Sequence, residues 1–327
     1  TFEIFALLVI VSVSAFWIRR NIMRIRRFLK PEMKGWPKRD ADYILYIELV
    51  LMFLFLTMNA SDYWLQQHPE GQSYYTQAGH FPISGLLTPL FDGMSYAIVV
   101  TIERTSWWLH IIGILVFLNY LYYSKHLHII LAFPNTFYAN LNPLGRFSHS
   151  EAVANELKLM MDPSTDPFAS PAVESEPISF GAADVKDLNR IQLMNAYSCT
   201  ECGRCTDVCP ANQTGKKLSP RKIMMDTRDR LEQVGKQLDR GQEVDNKTLL
   251  DHHISREELW ACTTCNACVE ACPISIDPLS IIMDMRQYLV MEQSSAPSEL
   301  NAMMTNIENN GAPWPFNQQD RINWINE

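Results

Sequence analysis

No cysteine occurs in the first 198 residues, and none follows position 272. All eight lie in two short runs, which argues against disulfide staples: those join distant loops and need an oxidising compartment. Lys and Arg are absent from residue 60 through residue 103. There is no glycine-rich dinucleotide fingerprint, P-loop or nucleophile elbow, so the chain is not expected to bind NAD, flavin or nucleotide itself. Strand signals are weak throughout. The chain opens at Thr1, inside an apolar run and without an initiator Met. The expectation is that further sequence, with further membrane helices, precedes it.

Charge divides the 327 residues into two parts. Residues 1–150 carry 12 Lys+Arg against 9 Asp+Glu, net +3, and the remainder carries 16 against 27, net −11, which gives the overall −8. Long apolar runs fill the first part, and the second is polar and acidic. This reads as a membrane part followed by a soluble part, with nucleic acid excluded as a partner of so acidic a domain.

The cysteine runs are Cys199-Thr-Glu-Cys202-Gly-Arg-Cys205-Thr-Asp-Val-Cys209-Pro210 and Cys262-Thr-Thr-Cys265-Asn-Ala-Cys268-Val-Glu-Ala-Cys272-Pro273. Each spells C-x2-C-x2-C-x3-C-P, the run that binds a [4Fe-4S] cluster, with the fourth cysteine serving the other cluster where two are present. The expected ligand sets are therefore Cys199, Cys202, Cys205 and Cys272 for one cluster, and Cys262, Cys265, Cys268 and Cys209 for the second. Structural zinc is the rival, but it takes separated C-x2-C pairs rather than a triplet plus one.

Three apolar runs precede these motifs. Phe2–Ile18 is followed by nine basic residues between Arg19 and Arg39, opposed only by Glu32. Beside a membrane run this is a cytoplasmic loop by the positive-inside rule. Tyr43–Met58 is the second span and contains Glu48, either a proton-relay group or a helix-end group. The basic-free stretch after it reads as an extracytoplasmic loop with interfacial aromatics, and residues 86–102 as a partly embedded segment. Trp107–Phe133 is the third span, returning to the cytoplasm at Lys125.

The third span carries His110 and His128, eighteen positions apart. On one continuous helix that is five full turns, so both would share a face about 27 Å apart, close to the thickness of the hydrocarbon core. This geometry suits a helix offering one axial ligand to each of two b-type haems. His126 would point elsewhere. The competing reading makes these histidines interfacial groups, and the second axial ligands would have to lie upstream of Thr1.

Pro134 to about Gly181 reads as an extended linker, with Pro163, Pro167, Pro171 and Pro177 and a modest helix near 150–161. The soluble domain then repeats with an offset of 63 residues, from Cys199 to Cys262. Ser219-Pro220 and Asp277-Pro278 each supply an N-cap with proline at the first helical position. The first helix should bury Ile223, Leu231, Val234 and Leu238 and end at Gly241; the second should bury Leu279, Ile282, Met285 and Leu289. The expected fold class is all-α: a transmembrane helical bundle at 1–133, a linker at 134–181, a helical ferredoxin-like dicluster domain at 182–295, and a tail at 296–327. In that tail Trp314, Phe316 and Trp324 either dock a partner subunit or fold back on the same domain.

The paired cysteine runs in a helical frame resemble the two-cluster iron–sulfur component of heterodisulfide reductases and its counterpart in anaerobic glycerol-3-phosphate dehydrogenase. The span with His110 and His128 resembles the cytochrome b (gamma) component of respiratory nitrate reductase. A fusion of the two is similar to this chain, including Tyr123-Ser124-Lys125-His126-Leu127-His128. Asn309-Asn310-Gly311-Ala312-Pro313-Trp314 resembles the segment that leads, in fused members, into cysteine-rich CCG repeats. The resemblance implies an oxidoreductase subunit in a bacterial inner membrane with its iron–sulfur domain in the cytoplasm. It would pass electrons between a cytoplasmic partner and membrane quinone through two [4Fe-4S] clusters and haem b. The partner would be a separate cysteine-rich CCG-type or flavoprotein subunit holding the substrate site. Two alternatives stand beside this: a haem-free quinone-linked iron–sulfur protein, and a structural or assembly protein with non-redox clusters.

Overall fold

The computed structural model describes residues 1–71, 74–76, 79–146, 151–161 and 180–325. It is all-α as expected: among the described residues there is no strand, only an isolated bridge between Leu250 and Ile254. The backbone divides into two compact units, and the division does not follow chain order. The first comprises Thr1–Ala139, Met194–Val208 and Ala271–Ile276; the second comprises Asn140–Leu193, Cys209–Glu270 and Asp277–Glu327.

In the first unit α1 (Phe2–Trp17) continues through a π-turn (Ile18–Ile22) into the basic segment. α2 (Trp36–Gln67) packs against both α1 and α3 (Tyr96–Tyr123). All three are long and apolar enough to cross a membrane. Phe5, Leu8, Phe53, Leu115 and Val116 are exposed on them, as lipid-facing side chains are. Close helix contact depends on a small residue: a Cβ added at Gly113 of α3 would lie 2.7 Å from Leu51 Cδ2 of α2. Beyond the C-terminal end of α2, a 3-10 helix (Ser84–Phe91) closes the bundle, with Ala60, Leu65, Phe91 and Val99 forming a small buried core. Glu3, the charge inside the first apolar run, is buried here. Its carboxylate accepts the Ile83 N–H (2.9 Å) and the Ser84 N–H (3.3 Å) at the start of that 3-10 helix. A carboxylate at a helix N-terminus satisfies orphan donors and meets a favourable dipole.

The third span differs from the sequence expectation. It begins at Tyr96, so residues 86–102 are split between the 3-10 helix and α3 rather than forming one embedded segment. It ends at Tyr123, because Ser124 turns extended (φ −106°, ψ 160°) and its hydroxyl caps His126 N–H. A 3-10 turn (Lys125–Leu127) follows, and His128 opens a separate helix, α4 (His128–Phe137). Asp40 of α2 anchors the break by accepting the Lys125 N–H (3.0 Å) and the Tyr120 hydroxyl (2.5 Å). His110 and His128 therefore do not share one continuous helix, and the five-turn argument for a common face does not hold.

Past α5 (Glu151–Met161) the prolines of the expected linker, at 163, 167, 171 and 177, lie outside the described residues. The helices that follow are short, namely α6 (Arg190–Ser198), α7 (Arg204–Asp207) and α8 (Pro210–Gln213), until α9 (Pro220–Asp239). After α10 (Leu249–His252), α11 (Arg256–Trp260) and α12 (Ala267–Glu270) come α13 (Pro278–Met291) and α14 (Ser298–Asn310). Both proline-led helices start as read from sequence. Ser219 accepts the Lys222 N–H (3.4 Å) and Asp277 accepts the Ser280 N–H (3.0 Å). On α13 the whole predicted stripe is buried, whereas on α9 Ile223 and Val234 are buried and Leu238 is exposed.

What holds α9 instead is Arg230, fully buried. It makes a two-point contact to Asp184 (3.0 and 2.9 Å) and a third bond to Asp245 (2.6 Å). Gly181, with φ +83°, lets the incoming chain touch α13; a Cβ there would meet the Asp284 carbonyl at 2.3 Å.

Candidate iron–sulfur sites

The two units sort the eight cysteines into two groups of four. Cys199, Cys202, Cys205 and Cys272 belong to the first unit, and Cys209, Cys262, Cys265 and Cys268 to the second. All eight are free thiols. In each run the fourth cysteine is separated from the three before it, so each group unites three thiols of one run with the last of the other.

Local backbone explains how each run wraps. Glu201 and Gly203 in the first run, and Thr264 and Asn266 in the second, take left-handed φ values of 58°, 75°, 56° and 59°. These pairs are equivalent under the 63-residue repeat. Left-handed residues beside each central cysteine curl the loop so that amides face inward, the geometry that receives anions. Two such amides already point at sulfur: Glu201 N–H to Cys199 Sγ and Thr264 N–H to Cys262 Sγ, each at 3.4 Å. Such bonds orient ligands and stabilise thiolate charge.

The electrostatics follow the same grouping. Burial pushes the Cys268 thiol up to about 12, helped by Cys262, Cys209 and Cys265 nearby. Cys262 is also raised, first by burial and then by Cys209 and Cys265, while the Arg286 guanidinium opposes the shift. Cys272 is raised by burial, with Cys202 adding to it. Four neighbouring thiolates would repel one another unless cations lay between them, so these groups suit a metal centre that takes the protons' place. Among the described residues no three or more His, Cys, Asp or Glu are gathered around a point as one ion requires. An all-sulfur donor set of four cysteines fits a four-iron cluster, whose irons each take one thiolate.

Around the first group, elements of the same unit converge. α4 meets it through Asn135, whose Nδ2 donates to the Ile274 carbonyl at 2.8 Å, and through the Ser198 hydroxyl, which donates to the Leu131 carbonyl at 3.4 Å. Lys125 Nζ donates to the Glu201 carboxylate and to the Pro37 carbonyl (2.6 Å). In the second group Arg286 of α13 donates to the Leu259 (2.6 Å) and Cys262 (2.5 Å) carbonyls and lies over the Trp260 ring at 4.9 Å. Sequence reasoning used Lys125 only as a membrane boundary and passed over Glu201, Asp40 and Arg286. Only the spacing of Glu201 and Thr264 under the repeat could have hinted at a shared turn.

The histidines are held by groups of the helical bundle. His110 Nδ1 lies 3.0 Å from the Leu51 carbonyl, with the Phe55 ring at 5.7 Å. His128 Nδ1 lies 2.9 Å from the Lys125 carbonyl, a contact within its own turn. His126 Nε2 meets Glu48 Oε1 at 3.4 Å, which gives the carboxylate within the apolar stretch of α2 a partner.

Comparison with known proteins bears on the region that holds both cysteine runs. Residues 198–276 match the 4Fe-4S dicluster domain family. Over 99% of its length the chain is 28% identical to a protein of Bacillus subtilis named probable iron-sulfur-binding oxidoreductase FadF, covering 46% of that protein. It is 26% identical, over 93% of its length and 43% of the relative, to the EtfAB:quinone oxidoreductase of Syntrophomonas wolfei. A probable membrane-anchored ferredoxin of Chromohalobacter salexigens is 30% identical over 44% of the chain and 24% of that protein. The chain thus spans less than half the length of these relatives. No solved structure matches it.

Proposed function

We propose that this chain is the membrane-anchored electron-transfer part of an oxidoreductase, linking a cytoplasmic redox protein to the membrane quinone pool. One observation carries the reading: Cys199, Cys202, Cys205 and Cys272 lie in the same compact unit as the three membrane-length helices. The reading assigns one [4Fe-4S] cluster to those cysteines and the second to Cys209, Cys262, Cys265 and Cys268. When bound, the two clusters supply one-electron carriers, and the protein supplies their spacing and their potentials.

The residues around the thiols have definable tasks. Amides of Glu201 and Thr264 stabilise thiolate charge. Arg286 holds the second loop by its carbonyls, and Lys125 holds the first through Glu201. The basic run from Arg19 to Arg39 favours a cytoplasmic position for this end of the bundle. A relative named for quinone supports the acceptor, and the reading assigns the substrate site to a cysteine-rich or flavoprotein partner. The purified protein, its clusters reduced by dithionite and freed of excess reductant, should lose its reduced-cluster EPR signals when a soluble quinone analogue is added. Signals that persist with quinone but vanish with ferricyanide would exclude the quinone role.

A second reading adds haem b within the bundle at His110. Its Nδ1 on the Leu51 carbonyl leaves Nε2 for iron, the arrangement common to metal-binding imidazoles. A dithionite-reduced minus oxidised spectrum tests it: absence of a sharp b-type α-band removes haem from the path.

A further inference from the structure

The first unit contains a cavity of roughly 410 Å³ at the basic end of the bundle. That volume lies in the range of about 300–1,000 Å³ typical of small-molecule sites. Its lining includes Phe16 of α1, Ala41, Ile44 and Leu45 of α2, and His126, His128, Arg204 and Cys202. We propose that this cavity is the quinone-binding site, with the ring held against the Cys202 side and the tail leaving past Phe16 and Leu45. The inference rests on the electron-transfer function proposed above and adds where the quinone binds.

Three features select a quinone over a soluble anion. The first is the composition of the wall. Phe16, Ala41, Ile44 and Leu45 belong to helices that reach into the membrane, so a ligand entering between them is lipid-soluble. The second is that three of the five cations lining the cavity, Arg20, Arg27 and Lys125, are engaged within the protein. Arg20 faces Asp42 at 3.3 Å and stacks over Phe28 at 5.1 Å, and Lys125 is held by Glu201. A phosphate cradle would instead keep its cations turned on the ligand. The third is Cys202, the one residue of the thiol groups in this wall. A ring in contact with it lies beside the sulfur through which an electron leaves the first group.

The lining also fits the chemistry. A quinone accepts two electrons, delivered singly from the cluster side, and two protons from water; its two C=O groups become C–OH, and the protein redox partner restores the electrons. Negative charge develops on the ring oxygens before the protons arrive, and preorganised donors aimed there stabilise it. Arg204 is the donor on that side; His126 and His128 line the same wall with their rings turned on Glu48 and on the Lys125 carbonyl (2.9 Å). The His126 ring is held in place by Glu48 at 3.4 Å.

The test uses the cluster-loaded chain in lipid nanodiscs and an azidoquinone photolabel. Labelling should fall on peptides containing Phe16, Ile44–Leu45 or His126–His128, and excess unlabelled quinone should abolish it. Ala41→Trp and Leu45→Trp each fill the cavity. They should lower labelling and the rate of quinone-driven cluster oxidation at least tenfold, normalised to EPR-visible cluster. Two variants guard against misassembly of one, and the wild-type label map needs neither. Label on other peptides, or wild-type rates in both variants, would put the quinone site elsewhere while leaving quinone as the acceptor. Label displaced by cardiolipin but not by quinone would make the cavity a lipid site and overturn the proposal. Wild-type clusters that quinone does not oxidise at all would defeat the quinone role on which this proposal rests.

Discussion

Lys125, just past the end of α3, is paired with Glu201, inside the first cysteine loop. Both side chains are buried, at 8% and 1% exposure. Between them they tie the loop of Cys199 and Cys202 to the helix ends, because Lys125 also reaches the Pro37 carbonyl and Asp40 accepts its backbone N–H. A buried ion pair adds little net stability over apolar packing, but breaking it by removing one partner costs about 3–5 kcal/mol. Lys125→Met should therefore destabilise the first loop by that order and reduce its cluster content in iron analysis and EPR. Lys125→Arg should restore much of it. A double variant with Glu201→Gln should lose less than the single one, because no carboxylate is left stranded.

Crossed ligation predicts which cysteine variants resemble each other. Cys199→Ala and Cys272→Ala should leave the same residual EPR spectrum, and Cys262→Ala and Cys209→Ala the other. If instead Cys199→Ala pairs with Cys209→Ala, each run closes its own cluster and the grouping by compact unit is irrelevant to ligation.

Arg230 should be the largest single contributor among the charged residues of the second unit. Its side chain is fully buried and meets Asp184 with a planar fork. Lysine cannot copy that fork. Arg230→Lys should cost roughly 1–3 kcal/mol and Arg230→Ala about 3–5 kcal/mol in denaturant unfolding, the alanine leaving the half-buried Asp184 carboxylate without its fork.

Asp226 should confer a pH dependence on stability. Burial raises its carboxyl to about 6, although Lys222 at 2.8 Å opposes the shift. An unfolded aspartate titrates near 3.9, so the folded chain binds this proton more tightly. The resulting stability is fully present below about pH 4 and is lost as pH rises through about 6. Asp226→Asn removes that dependence. Between pH 4.5 and pH 7.5, unfolding stability of the variant relative to wild type should rise by on the order of 1–2 kcal/mol. An unchanged difference would mean that Lys222 keeps the carboxylate charged throughout.

Much of this protein was legible in one dimension because its governing signals are local. Four cysteines at fixed spacing define a cluster loop wherever the chain goes. A membrane-length apolar run has few alternatives to a helix, and Ser219-Pro220 and Asp277-Pro278 start helices through contacts three residues away. The extent of the third span was not legible. Residues 107–133 are apolar enough for one helix, and the break at Ser124 depends on Asp40, more than eighty residues earlier in the chain. That single long-range anchor separates His110 from His128.

Sequence alone determined the all-α class, the three apolar runs, the basic loop and the identity of the eight thiols. Tertiary structure decided which four thiols share a compact unit, what Glu48, Glu3 and Lys125 are paired with, and where the helices leave a cavity beside Cys202. The division has one physical cause. Spacing and hydropathy act over a few residues, whereas buried charges must find partners across the fold, and no periodicity announces which partner each will take.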